Sequence, residues 1–160
     1  MSEAPSVRDW LDASINASNE LATVALGLEG SELIGIRDVG PEETGSAFIA
    51  LVGEANSVQI GFSADSDGCR KLAQILLGME PDDDDLEDED IADAVGEMAN
   101  ILGGQVKTIM AEKAIAVNLG IPIFIHGHVE VSGEMEVAAA DVRLGDISAT
   151  IFVLAHDVKA

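Results

Sequence analysis

One cysteine, Cys69, stands alone among 160 residues, so no intramolecular disulfide can form. A chain of this length with 48 % apolar residues can bury a core without one, and the scarcity of cysteine fits a reducing compartment. Long apolar runs are missing as well. None approaches the roughly 18 residues of a membrane span. The opening Met1-Ser2-Glu3-Ala4-Pro5 lacks the basic-then-apolar order of a signal peptide. A cytoplasmic protein away from membranes is therefore expected. Basic residues are few: 8 lysines and arginines face 30 aspartates and glutamates, a net charge of −22. That balance excludes nucleic acid as a partner, because a polyanion needs a basic surface, and it disfavours anionic membranes.

The acidity is partly local. Residues 80–90 hold nine acids in eleven positions and no base. They read as a solvated linker whose end begins a helix, where the helix dipole favours negative charge. The run lacks the glycine and closing glutamate of a calcium loop. The chain reads as one domain, residues 1–160, with this linker at about 80–90 and no evident internal repeat. A first helix is expected over Val7–Leu26, with Trp10, Leu11, Ile15, Leu21, Val24 and Leu26 near helical spacing. Strands follow at Ser31–Val39, Ser46–Val52 and Val58–Phe62, the last two as a hairpin around Gly53–Asn56. A second helix is expected over Gly68–Leu77 and a third over Leu86–Ala114. Four further strands are expected at Ile115–Leu119, Ile121–Val131, Glu136–Arg143 and Asp146–Leu154. The sum is an α+β fold, long helices packed on an antiparallel sheet.

The third helix carries the chemistry. At about 100° per residue, Ile91, Val95, Met98, Leu102, Val106 and Ile109 share the buried face. Asp93, Glu97, Asn100, Gly104 and Lys107 share the opposite one. Such residues are often merely solvated, but two features are out of place. Asn100 is a poor helix former in mid-helix, and Gly103-Gly104 follow it at a cost of roughly 1 kcal/mol each relative to alanine. A bare patch beside an acid and an amide suits the close approach of another protein.

The stretch Asp93-Ala-Val-Gly-Glu97-Met-Ala-Asn100-Ile-Leu-Gly-Gly, with Pro122 beyond, resembles the active-site signature of the CheC, CheX and FliY phosphatases. Continuation through Lys107 to Ala111-Glu112-Lys113 is similar to CheX, and so is the N-terminal Trp10–Ser18. The first helix offers only Glu20-Leu-Ala-Thr23, without the asparagine of a second Glu-x-x-Asn motif, so one site per chain is expected, as in CheX. The resemblance implies a CheC-like fold and a phosphatase that acts on the aspartyl phosphate of a CheY-like response regulator, in chemotaxis or another two-component circuit. Glu97 and Asn100 would be catalytic: Asn100 would position the attacking water and Glu97 would pair with a lysine of the regulator. Asp93, Gly104 and Lys107 would border the bound substrate. The resemblance implies no metal or cofactor on this chain, since the divalent cation, expected to be magnesium, comes with the regulator. It also implies a homodimer joined through an exposed edge strand among the apolar strands near the C-terminus. The alternative is a receiver-binding or flagellar-switch module of the same fold without hydrolysis.

Other candidates are weaker. His126 and His128 alternate on an expected strand, but two ligands make no metal site. His156 is expected at the surface. Gly103-Gly104-Gln105 sits in a helical pattern, unlike the tripeptide of peptide-release factors. Cys69, near a helix start, reads as a small packing residue.

Overall fold

The computed structural model describes residues 4–43, 45–54, 57–83 and 85–156. Helix α1 (Val7–Glu20) starts at Ser6, whose Oγ accepts from the Asp9 amide at 3.2 Å, while the Asp9 carboxylate accepts from the Ser6 amide at 2.8 Å. This reciprocal pair satisfies two donors that a helix start leaves free. The helix expected to continue to Leu26 instead widens at Leu21 into a π turn, Leu21–Ala25. The wider turn shifts the buried stripe. Val24, expected on the apolar face, is consequently 77 % exposed.

Strands β1 (Ser31–Arg37), β2 (Gly45–Val52) and β3 (Ser57–Ala64) follow. The hairpin between β2 and β3 is as expected, though Ala55 and Asn56 of its turn lie outside the described residues. Helix α2 (Ser66–Leu76) is capped by Asp65, and α3 spans Asp88–Ala111. The acidic run between them is not simply solvated. Gln74 is buried, and its Nε2 donates to the carbonyls of Asp83 (2.9 Å) and Pro81 (3.4 Å). Leu86 packs against Ala73 and Ala94, so an apolar contact and an amide clamp hold the acidic stretch to α2 and α3.

Beyond α3, two of the four expected strands shrink. β4 is Asn118–Leu119 and β5 is Ile123–His126; both lie along β2. Gly120-Ile121-Pro122 interrupts the pairing because proline has no amide to donate. Gly127, at φ 133, ends β5. β6 (Met135–Leu144) and β7 (Ile147–His156) are long, as expected. Just after α3, Ala114 sits at φ 63, in the left-handed region where a helix normally ends on glycine. Ala114→Gly is expected to stabilise the protein by about 1 kcal/mol. A denaturant midpoint that does not rise, at constant slope, would count against this.

The sheet runs β1-β6-β7-β3-β2-β4, with β5 also on β2, and every described pairing is antiparallel. The strands near the C-terminus, expected to provide an edge, are therefore interior. The edges are β1 and the β4–β5 line. This order contains an internal two-fold that the sequence does not display. The axis lies between β3 and β7. The unit α1-β1-β2-β3 matches α3-(β4, β5)-β6-β7, and each unit's first strand pairs with the other unit's second: β1 with β6, β5 with β2. Helix α1 packs on β6 and β7, and α3 on β2 and β3. Both edges are also interrupted, β1 by a register shift between Leu33 and Gly35 and the other by the Gly120–Pro122 crossing.

The main core lies between the helices and one sheet face and includes Trp10, Leu21, Ile49, Phe62, Met98, Leu102 and Ile151. The opposite face carries a smaller cluster of Ala139, Phe152 and Leu154, packed by Phe48, Val131 and Met135. Beside it Ser46, Ser63, Thr150 and Asp141 stand opposite one another across β2, β3, β7 and β6. Glu43 accepts from Thr150 Oγ1 (2.7 Å) and Ser63 Oγ (3.0 Å), and Arg37 Nη2 donates to Asp141 (2.9 Å), tying the β1–β2 connection onto this face.

Candidate functional site

Helix α3 lies over β2 with Val95, Met98, Leu102 and Val106 fully buried and Ile91 and Ile109 half-buried at the margins. The expected outer face is outer. Asp93, Glu97 and Lys107 are exposed, and Asn100 and Gly104 are half-buried. Asn100 thus sits lower than a fully solvated side chain, one turn from Glu97. The two glycines do different things. A Cβ on Gly103 would stand 2.7 Å from Ile49 Cγ2, so its bareness lets α3 approach the sheet. A Cβ on Gly104 would meet only Leu119 Cδ1, at 4.0 Å. Packing therefore explains Gly103 and leaves Gly104 as an open position beside Asn100. Gly104→Ala should raise stability by about 1 kcal/mol through helix propensity. Gly103→Ala should lose that gain to the clash with Ile49. Equal thermal shifts for the two variants would contradict this assignment.

Leu119 ends β4 under Gly103 and Gly104, so the crossing Gly120-Ile121-Pro122 runs along the edge bordering this helix. Pro122 enters the site region as part of that border. Ile121 is among the most exposed apolar residues described. With Asp93, Glu97 and Lys107 exposed along it, the outer face of α3 forms a ridge. A cleft of about 740 Å³ lies elsewhere, between the starts of α2 and α3, lined by Arg70, Asp88, Glu89, Phe124 and His126. A carboxylate and a carboxamide on a bare helical ridge cannot enclose a small substrate. They can enter a cleft on another macromolecule.

Among the described residues, no group of three or more histidine, cysteine, aspartate or glutamate side chains is placed to hold a metal. His126 and His128 do not alternate on one strand: β5 ends at His126, and Gly127 turns the chain before His128. His156 is exposed at the end of β7. Cys69 is buried, and burial, followed by the nearby Asp65 carboxylate, pushes its thiol up to about 11. It is the packing residue expected, without thiolate character at neutral pH. Glu20 and Thr23 form no second motif. Thr23 Oγ1 instead donates to its own helix at Asn19 O, 3.0 Å away.

Residues 46–139 match the model of the family described as chemotaxis phosphatase CheX. The match opens in β2 and closes in β6, so it includes all of α3 and omits α1. Among solved structures, the chemotaxis protein CheX of Desulfovibrio desulfuricans is similar with TM-score 0.77 and 18 % identity, over 92 % of this chain and 99 % of that one. CheX of Vibrio vulnificus gives 0.75 and 20 %, over 91 % and 97 %. The CheX of a CheX–CheY–BeF3–Mg complex from Borrelia burgdorferi gives 0.73 and 21 %, over 92 % and 97 %. At such identities the structural likeness concerns the fold. No curated protein matches the sequence.

Proposed function

The chain belongs to the chemotaxis phosphatase CheX family, and from that premise we propose that it hydrolyses the aspartyl phosphate of a CheY-like response regulator by pressing α3 into the regulator's phosphorylation site. One observation carries the reading: within the family-matched stretch, Glu97 and Asn100 project from a ridge next to the sterically open Gly104. The related Borrelia burgdorferi protein is in a complex with CheY, a fluoroberyllate and magnesium.

Asn100 holds a water in line with the phosphorus through its carboxamide, which accepts and donates without ionising and so suits a site crowded with negative charge. Glu97 makes a charge-assisted hydrogen bond with a lysine beside the phosphoryl group and fixes register. Asp93 and Lys107 flank the contact, and Gly104 lets the regulator's backbone approach. The regulator's own magnesium neutralises charge that develops on the phosphoryl oxygens. The reaction takes place in the cytoplasm, where response regulators act.

A second copy of the chain pairs through β1, whose Leu33, Ile34 and Ile36 are exposed on an edge with one partner strand. An apolar open edge of this kind invites strand addition. The direct test of function mixes the protein with a panel of phosphorylated receiver domains and follows phosphate release. At least one receiver should lose phosphate faster than it does alone. If none does, the reading fails.

A further inference from the structure

The edge beside α3 carries one residue more than β2 can match. Leu119 pairs with Leu51 and Ile123 with Phe48, so Gly120, Ile121 and Pro122 stand against only Ala50 and Ile49. Gly120 takes the place opposite Ala50, its amide donating to the Ala50 carbonyl at 2.8 Å. Ile121 and Pro122 are left to face Ile49 together, the arrangement of a β-bulge, which re-aims a side chain. Pro122 also holds the residue before it in extended backbone. The side chain so re-aimed is that of Ile121, which is 84 % exposed. Its level along the helix is fixed as well. Ile49 lies under Gly103, and Leu119 under Gly103 and Gly104, so the bulge flanks the turn of α3 that follows Asn100.

We propose that Ile121 is the apolar anchor by which the protein selects and holds its regulator, seated against an apolar side chain that borders the regulator's phosphorylation site. The proposal rests on the function assigned to α3. The occupant is a receiver domain and not a second copy of this chain. A bulge that contains a proline cannot extend the sheet, because the extra residue breaks the register and Pro122 has no amide to donate. Electrostatics point the same way. The outer face of α3 sets one base, Lys107, against Asp93 and Glu97, in a chain of net charge −22. A phosphorylated aspartate is not drawn to such a surface at long range, so apolar burial at short range has to supply affinity. The anchor is also presented rigidly. β4 and β5 hold both sides of the bulge on β2, which lowers the entropy lost on docking. Ile121 touches the regulator beside the phosphoryl group and takes no part in the chemistry, which stays with Asn100.

The experiment compares Ile121→Ser, Ile121→Asp and Ile121→Val with the unmodified protein. It measures affinity for a beryllofluoride-loaded regulator, the single-turnover rate at saturating protein, and sedimentation mass. Ile121→Ser should weaken affinity on the order of tenfold, the usual loss when a buried anchor is truncated, and Ile121→Asp should weaken it further. The saturated rate should stay within about twofold, because the lost contact is made equally in the ground and transition states. Ile121→Val, which keeps an apolar branch, should recover most of the affinity. All three should melt with the unmodified protein, since the side chain is exposed. Unchanged affinity in Ile121→Asp overturns the proposal, and so does a saturated rate that falls in step with affinity. A change in sedimentation mass with affinity intact makes Ile121 a contact between copies of the chain and overturns it equally. If the unmodified protein neither binds nor accelerates any regulator, the function assigned to α3 fails and the anchor with it.

Discussion

Asn100→Ala is expected to cut accelerated dephosphorylation by about 10²–10³-fold, the usual cost of removing one positioned polar group from a reacting centre. The melting temperature should hold or rise slightly, because alanine is the better helix former and the side chain is only half-buried. Affinity for a beryllofluoride-loaded regulator should be near that of the unmodified protein, since the lost group acts on water and not on docking. Glu97→Lys should behave oppositely. Two cations at the interface repel, so binding weakens first. Single-turnover hydrolysis measured beside affinity separates the two. An Asn100→Ala protein that hydrolyses at the unmodified rate would end the proposed chemistry. A Glu97→Lys protein that binds normally would show that the α3 ridge is not the docking surface.

Gly61→Val should cost about 3 kcal/mol or more, the upper range for overpacking a filled site. On the sheet face away from the helices, Gly61 of β3 lies beneath the ring of Phe152 on β7, its register partner. A Cβ there would be 2.6 Å from Phe152 Cε1 and closer still to Cε2 and Cζ. The ring cannot retreat easily, because Phe48, Val131 and Met135 pack around the same cluster. Gly61→Ala should fail for the same reason at smaller cost. Shortening the obstacle should help, so the loss in a Gly61→Ala, Phe152→Leu double variant should be smaller than the two single losses added. Strict additivity in denaturant unfolding would show that the ring is not what requires the glycine.

Much of this was legible in the chain before any coordinates. Helical spacing in α3 separated Met98 and Leu102 from Glu97 and Asn100, because a long amphipathic helix repeats its signal over several turns. β6 and β7 were legible as long apolar segments broken by Leu144-Gly145. The short edge strands were not. Two residues of β4 and four of β5 carry too little pattern, and pairing with β2 decides them. Nor was the π turn, since Leu21–Ala25 looks helical until packing fixes which residue is turned out. The two-fold of the sheet was not legible either, because no repeat is evident along the chain. The correspondence lies in strand exchange, which is a property of the folded chain. Gly103 shows the same limit: sequence marked both glycines as odd, and only Ile49 told them apart.

The exchange of edge strands also bears on how the protein is made. β1 leaves the ribosome early, yet its partner β6 lies far downstream: Arg37 meets Asp141 across 104 positions of chain. Until β6 emerges, the leading half has its helix and a hairpin but an unpaired first strand with exposed Leu33, Ile34 and Ile36. Non-local pairing of this kind slows folding and leaves a sticky intermediate during synthesis. The nascent chain should therefore depend on ribosome-associated chaperones until β7 is out. Neither half of the duplicated unit, expressed alone, can close its own sheet.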